Sequence, residues 1–277
     1  MVIRELIKEI SSSLSGRENY LYETHLIIRT VLGLTPMELV LSHGNDVSEK
    51  DAELIRSYAE RRKTNKPLQY ILGTEEFMGI EFYVEREVLI PRQDTETLVE
   101  EVLRHLASKG ASVLDIGAGS GCVGLSILYH NPNTCLRGID VSDNALNLSR
   151  RNAEKLGVTE RADFVKADIL TDHISGKYDV VVSNPPYIRS DVIPTLMTDV
   201  QDFEPHLALD GGEDGLKFYR AITEKAQVFL RKGGLLAFET GYDQGEAVAA
   251  LMADTFDDVK IIKDLCGNDR VVRGILK

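Results

Sequence analysis

From residue 112 onward, short apolar runs alternate with segments of helical spacing, and few folds accommodate that order. The runs fall at 112–116, 136–140, 162–166, 178–183 and 235–239, with helical stretches such as 144–156 and 216–230 between them. Regular alternation of this kind predicts an α/β fold, a parallel sheet with helices on both faces. The last two runs, 259–262 and 270–276, are joined by too few residues for a helical crossover and are expected to pair antiparallel.

The first ~75 residues read differently. Ile3, Leu6, Ile7, Ile10 and Leu14 form one apolar stripe of an amphipathic helix. Thr35, Pro36 and Glu38 supply an N-cap, a proline at N1 and a capping-box acid at N3, and Ser48 with Asp51 repeats a weaker form. Arg61, Arg62, Lys63 and Lys66 cluster near a helix end, where cations suit the macrodipole, and read as a solvated basic face. Short β-rich pieces at 82–84 and 88–90 look like a hairpin. Asp94 is placed to cap the next helix, whose apolar spacing continues until Gly110. The expected organisation is a helical domain at 1–75, a β-hairpin linker at 76–92 and a second domain at 93–277.

Charge narrows the function classes. The 277 residues carry a formal net charge of −12 and a pI near 5.0, a poor match for a protein that must neutralise a long phosphate backbone. Cys122, Cys135 and Cys266 lie apart without a Cys-x-x-Cys pair or a histidine cluster, so no metal site and no disulfide framework is expected. Alternating charge at Arg4, Glu5, Lys8 and Glu9 is unlike a signal peptide, and no stretch approaches 18 apolar residues. A soluble, cytoplasmic protein with no membrane partner is expected, with a monomer as the expected state.

The first strand of the alternating region runs into a glycine-rich turn. Asp115 precedes Gly117, Ala118, Gly119, Ser120 and Gly121, and Gly124 completes a G-x-G-x-x-G spacing. Glycine lets backbone approach a ligand closely, and a helix start offers free N–H groups, so residues 117–121 read as a nucleotide-type cofactor loop. That spacing serves nicotinamide cofactors and S-adenosylmethionine alike. Asp140 ends the second strand, where a carboxylate can accept both hydroxyls of a ribose. Asp168, after the third strand, can accept from an adenine amino group while Ile169 packs on the ring.

The fourth strand separates these possibilities. It runs directly into Asn184, Pro185, Pro186 and Tyr187. The two prolines stiffen the loop and leave bare carbonyl acceptors. The Asn184 oxygen and the Pro185 carbonyl can each accept one N–H of an NH2 group, and the Tyr187 ring can lie over its flat π-system. In an open parallel sheet the loops after strands one and four share a crevice, so Asn184 would meet the cofactor held at 117–121. A methyltransferase acting on an amide or exocyclic amine needs such a loop; a dehydrogenase has no evident use for it.

With these residues the chain resembles the bacterial glutamine N5-methyltransferases that modify peptide chain release factors, the HemK-like family. The resemblance spans both domains. It rests on Gln69, Tyr70, Ile71, Leu72 and Gly73; on Ile90, Pro91, Arg92, Gln93, Asp94, Thr95 and Glu96; on residues 115–121 and 184–187; and on Glu204 and Pro205 with the 208–212 turn, Asp214 and Gly215. A proline commonly stands where Gln93 is found. The Asn-Pro-Pro-Tyr block alone is shared with nucleic-acid adenine N6-methyltransferases, and the other blocks make the narrower assignment.

The resemblance implies a class I S-adenosylmethionine-dependent methyltransferase (Rossmann-like) sheet with a small N-terminal helical bundle that docks the release factor. It implies S-adenosyl-L-methionine as cofactor and a glutamine in a Gly-Gly-Gln loop as acceptor. Asn184, Pro185 and Tyr187 would act in catalysis, with Pro186 beside them against the substrate.

Overall fold

The apolar stripe at the N-terminus folds as expected. In the computed structural model, which describes all 277 residues, helix α1 (Ile3–Leu14) buries Ile3, Leu6, Ile10 and Leu14. They meet Ile27 and Ile28 of α2 (Tyr20–Leu32), Leu39 of α3 (Pro36–Leu41), Ala52, Ile55 and Ala59 of α4 (Glu49–Lys63), and Leu68 and Ile71 of α5 (Leu68–Leu72). Helix α3 starts where its capping box predicts: Glu38 N–H donates to Thr35 Oγ1 at 3.2 Å and Thr35 N–H to Glu38 Oε2 at 2.8 Å. These helices make up most of one compact unit, Met1–Gly73 with Thr198–Phe203; the other is Thr74–Met197 with Glu204–Lys277.

The basic cluster of the first unit is not uniformly solvated. Arg62 is buried, and its Nε and Nη2 donate to the Glu23 carboxylate at 3.1 and 2.7 Å, while Nη1 donates to the Lys66 carbonyl. Glu23 lies on the inner side of α2, so the helix end turns one of its cations inward to meet it.

The hairpin lies earlier than the sequence suggests. Strand β1 (Thr74–Phe77) pairs with β2 (Ile80–Tyr83) antiparallel around a turn at Met78 and Gly79. The 88–90 run forms no strand; Val88 is buried against Ala145 and Leu148 instead. Its apolar character reflects packing on a helix rather than a ladder. Asp94 caps nothing either. It sits in a 3-10 turn at Gln93–Thr95 and pairs with Arg270, and helix α6 (Glu96–Leu106) begins after it. That helix stops before Gly110, at Ala107 and Ser108, both with positive φ.

The sheet follows the alternation. In chain order come β3 (Ser112–Ile116), α7 (Cys122–His130), β4 (Cys135–Asp140), α8 (Asp143–Lys155), β5 (Ala162–Lys166), β6 (Tyr178–Ser183), α9 (Thr198–Phe203), α10 (Lys217–Phe229), β7 (Leu230–Glu239), α11 (Gly245–Met252), β8 (Phe256–Lys263) and β9 (Asp269–Leu276). Seven strands lie in the order β5-β4-β3-β6-β7-β9-β8, parallel except where β9 meets β7 and β8. Neighbouring residues point to opposite faces and both faces are covered. Val113, Val180, Val182, Leu235 and Ala237 pack with α6, α7 and α8, while Leu114, Val181, Leu236 and Phe238 pack with α10 and α11.

Strand order reverses at β3. The chain proceeds outward through β4 and β5, then returns to the other side of β3 with β6. A crevice opens at such a switch, beyond the carboxyl ends of the two central strands.

Candidate active site

Ile116 and Ser183 are paired across β3 and β6, and the Ser183 hydroxyl donates to the Ile116 carbonyl at 2.7 Å. The next residues, Gly117 and Asn184, therefore leave the sheet side by side. Both line one cavity of about 700 Å3, together with Ala118, Gly119, Ser120, Asp140, Asp168, Ile169, Pro185 and Pro186. Gly121 lies behind the wall as the left-handed start of α7, and Tyr187 lies outside it.

The glycine loop is held from below by α8. The Ser149 hydroxyl donates to the Gly119 carbonyl at 2.8 Å and the Asn152 amide to the Ser120 carbonyl at 2.9 Å. Gly117, Gly119 and Gly121 all have positive φ, which side-chain-bearing residues rarely adopt. Asp140 closes the loop from the second strand: its Oδ2 accepts from Gly119 N–H and its Oδ1 from Ser142 N–H, both at 2.9 Å. Each carboxylate oxygen keeps a lone pair for a ribose hydroxyl. The helix cap expected of a neighbour is Ser142, whose hydroxyl accepts from Ala145 N–H. Asp168 is fixed by Leu170 N–H on its Oδ1, and Ile169 is buried beside it.

Beneath this loop Asp115 is fully enclosed. Burial drives its pKa up to about 7, the Asp140 charge adds to the rise, and the Gly124 N–H bond at 3.0 Å only partly offsets it. Burial likewise raises Asp140.

Charge at the cavity tests which cofactor fits. Glu87, Asp115, Asp140, Asp168 and Asp210 line it, against Arg92 and Lys217, and Arg92 is already paired with Glu204. A diphosphate would meet mostly carboxylates. A sulfonium cation joined to an adenosine fits the acidic rim and the apolar floor of Ile139, Ala167 and Ile169.

The loop at 184–187 is braced from behind by the turn at 208–215. Ile188 N–H donates to the Leu209 carbonyl at 3.0 Å, Gly211 N–H to the Ile188 carbonyl at 2.8 Å and Ser190 N–H to the Gly212 carbonyl at 3.0 Å. A Cβ on Gly211 would stand 2.7 Å from Tyr187 Cα, and one on Gly215 2.5 Å from the Tyr187 carbonyl oxygen. That carbonyl also accepts from Gln244 Nε2 at 3.0 Å. The glycines of this turn thus let it lie directly on the loop. Glu204, just before it, pairs with Arg92, so two sequence blocks of no evident role become one support.

Asn184 Nδ2 donates to Thr95 Oγ1 at 3.3 Å, which leaves its Oδ1 as the free acceptor. Tyr187 is partly buried against the core, and its hydroxyl donates to Glu239 Oε1 at 3.3 Å. Core packing and the hydroxyl bond together anchor the end of the loop. Glu239, Thr95 and Arg270 were not among the expected site residues. The signal for Glu239 was its place at the carboxyl end of a parallel strand.

Comparisons with known proteins agree with this geometry. Residues 93–200 match the Methyltransferase small domain family and residues 5–73 the PrmC N-terminal domain. A release factor glutamine methyltransferase of Clostridium botulinum is 39% identical, covering 99% of each chain, and one of Geobacter sulfurreducens is 40% identical over 94% of this chain and 90% of its own. The crystal structure of a methyltransferase from Pyrococcus furiosus, 20% identical, shares the fold with a TM-score of 0.55 over 72% of this chain and 90% of its own. By its full-length similarity to these relatives, the chain belongs to the release factor glutamine methyltransferase family.

Proposed function

We propose that the chain transfers a methyl group from S-adenosylmethionine to the side-chain amide nitrogen, N5, of the glutamine in the Gly-Gly-Gln loop of peptide chain release factors. The observation that carries this reading is the pairing of Ile116 with Ser183, which sets Asn184 and Pro185 beside the glycine loop in one cavity.

When bound, the cofactor supplies an electrophilic methyl on sulfur. Gly117, Ala118, Gly119 and Ser120 would hold its amino-acid end, Asp140 its ribose, and Asp168 with Ile169 its adenine. An amide nitrogen is a weak nucleophile because its lone pair is delocalised into the carbonyl. The Asn184 Oδ1 and the Pro185 carbonyl accept its two N–H bonds and turn the nitrogen toward the methyl. Positioning of this kind can lower a barrier by up to ~7–11 kcal/mol. Transfer would leave the nitrogen cationic with two acidic protons, and one of them is lost to solvent afterwards, so no strong base is needed beforehand.

The helical unit at Met1–Gly73 docks the release factor in this reading. In this reading the protein works as a monomer in the cytoplasm, where release factors act. No helix is long and apolar enough to cross a membrane. The acidic lining and the net charge of −12 disfavour a nucleic-acid substrate.

Incubation with isotopically labelled S-adenosylmethionine and purified release factors, followed by mass spectrometry, tests the proposal. Label on the glutamine of the Gly-Gly-Gln loop is expected. Label elsewhere, or on nucleic acid alone, would overturn it. Removing residues 1–73 is expected to weaken methylation of the intact factor far more than cofactor binding; equal losses would contradict the docking role.

A further inference from the structure

Resting on the cofactor assignment above, we propose that Arg92 is the residue that holds the carboxylate at the amino-acid end of S-adenosylmethionine. That end carries an ammonium and a carboxylate, and the cavity treats the two charges unequally. Glu87, Asp115, Asp140, Asp168 and Asp210 line it, which favours the cationic groups and repels the anion. A carboxylate brought among them needs a cation at close range, because salt screens charges in a partly buried site only weakly. Arg92 and Lys217 are the two full cations of the lining.

Position separates these two. Lys217 starts α10, and its stem lies on the 208–215 turn, where a Cβ added to Gly212 would meet Lys217 Cβ at 3.3 Å. It also borders a second cavity, with Arg189, Asp214 and Arg220, to which the glycine loop contributes nothing. Arg92 stands by the glycine loop instead. Its carbonyl accepts from Thr95 N–H at 3.1 Å, the Thr95 hydroxyl accepts from Asn184 Nδ2 at 3.3 Å, and Asn184 leaves the sheet beside Gly117. The segment that leads to Arg92 follows the same wall: Val88 Cγ1 would lie 4.0 Å from a Cβ added to Gly119.

The Arg92 side chain is placed to bind a ligand as well as to pair. Its Nη2 donates to Glu204 Oε1, and Nε and Nη1 have no partner in the protein. The Glu204 side chain is 2% exposed and that of Arg92 42%. The buried acid thus fixes one corner of the guanidinium and leaves other N–H groups open, on a group that keeps its charge in any surroundings. Bonds between guanidinium and carboxylate are among the strong hydrogen bonds of proteins. Holding the carboxylate restricts the chain that carries the sulfonium, and so helps to fix the methyl before an acceptor arrives.

Calorimetric titration of the free protein, with no acceptor present, tests this on two ligands. S-adenosylhomocysteine keeps the carboxylate; its decarboxylated analogue lacks it. The wild-type protein should bind the first roughly 10- to 150-fold more tightly. Arg92→Met should lose that preference, with affinity for S-adenosylhomocysteine falling by about the same factor and the decarboxylated ligand bound within about threefold of wild type. Arg92→Lys should fall between, because it restores the charge without the fixed N–H directions.

An Arg92 that serves only to pair Glu204 would weaken both ligands alike in Arg92→Met, and that result would overturn the inference. A wild-type protein that binds the two ligands within about threefold would also overturn it, whatever the variants do. Unchanged S-adenosylhomocysteine affinity in Arg92→Met, with a raised KM for the release factor, would move Arg92 to the acceptor and overturn it as well. Absence of any binding by the wild-type protein would sink the cofactor assignment together with this inference, whereas binding indifferent to Arg92 would sink this inference alone.

Discussion

In the proposed reaction Asn184 would act through one oxygen, and its own bond to Thr95 leaves that oxygen free. Its NH2 group is used by Thr95, its backbone follows a strand fixed against β3, and the next two residues are prolines. The residue types and their order were legible in the sequence, as was the glycine-rich turn that Asp140 closes. An aromatic beside a planar-amide site suggests stacking, and the hydroxyl bond of Tyr187 adds an anchoring contact that the local sequence does not show. Its partner, Glu239, is 52 positions away, and no local pattern announces that its hydroxyl is claimed by a buried acid. The same holds for Gly215, whose φ of +74° and closeness to the Tyr187 carbonyl, which an added Cβ would meet at 2.5 Å, appear only when two distant segments meet. Gly215→Ala should therefore displace the Tyr187 carbonyl and lower transfer at least tenfold with little change in cofactor affinity. A methyl-transfer assay beside a calorimetric titration checks this, and wild-type transfer in the variant would exclude the cradle.

At the scale of elements, the parallel strands were readable because each is buried on both faces and so appears as a continuous apolar run. The hairpin was not, because β1 reads Thr-Glu-Glu-Phe and owes its strand form to its partner rather than to its own pattern. The strand end before the glycine-rich turn and the end of β7 each bury an acid, with consequences for stability. Asp115 and Glu239 both have folded pKa values near 7, raised chiefly by burial above the unfolded carboxylate range of about 4. The folded state thus holds their protons more tightly. The stability they contribute is fully present below about pH 4 and is lost as pH rises through 7. The free protein should melt at a lower temperature at pH 8 than at pH 5.5, and Asp115→Asn should flatten that slope. An unchanged slope in the variant would assign the effect elsewhere.

Over the whole molecule the chain forms two compact units, and the smaller has a stability device of its own. Glu23 and Arg62 form a buried pair in the helical unit, with side chains 11% and 8% exposed, and Arg17 bonds the same carboxylate. Truncating Arg62 to alanine would leave Glu23 buried without its main partner, at a cost of about 3–5 kcal/mol. Denaturant unfolding of Arg62→Ala should show that loss, while Arg61→Ala, on the exposed side, should change stability by under about 0.5 kcal/mol. The central claim concerns the larger unit, that Asn184 orients an amide nitrogen toward a methyl held on the glycine loop. Comparing Asn184→Ala with the wild-type protein, for both cofactor dissociation constant and methyl transfer to a release factor, measures it most directly. Cofactor affinity within about threefold of wild type, with transfer reduced by the ~1–3 kcal/mol of a lost acceptor, about 5- to 150-fold, is the predicted result. Transfer at the wild-type rate would contradict it.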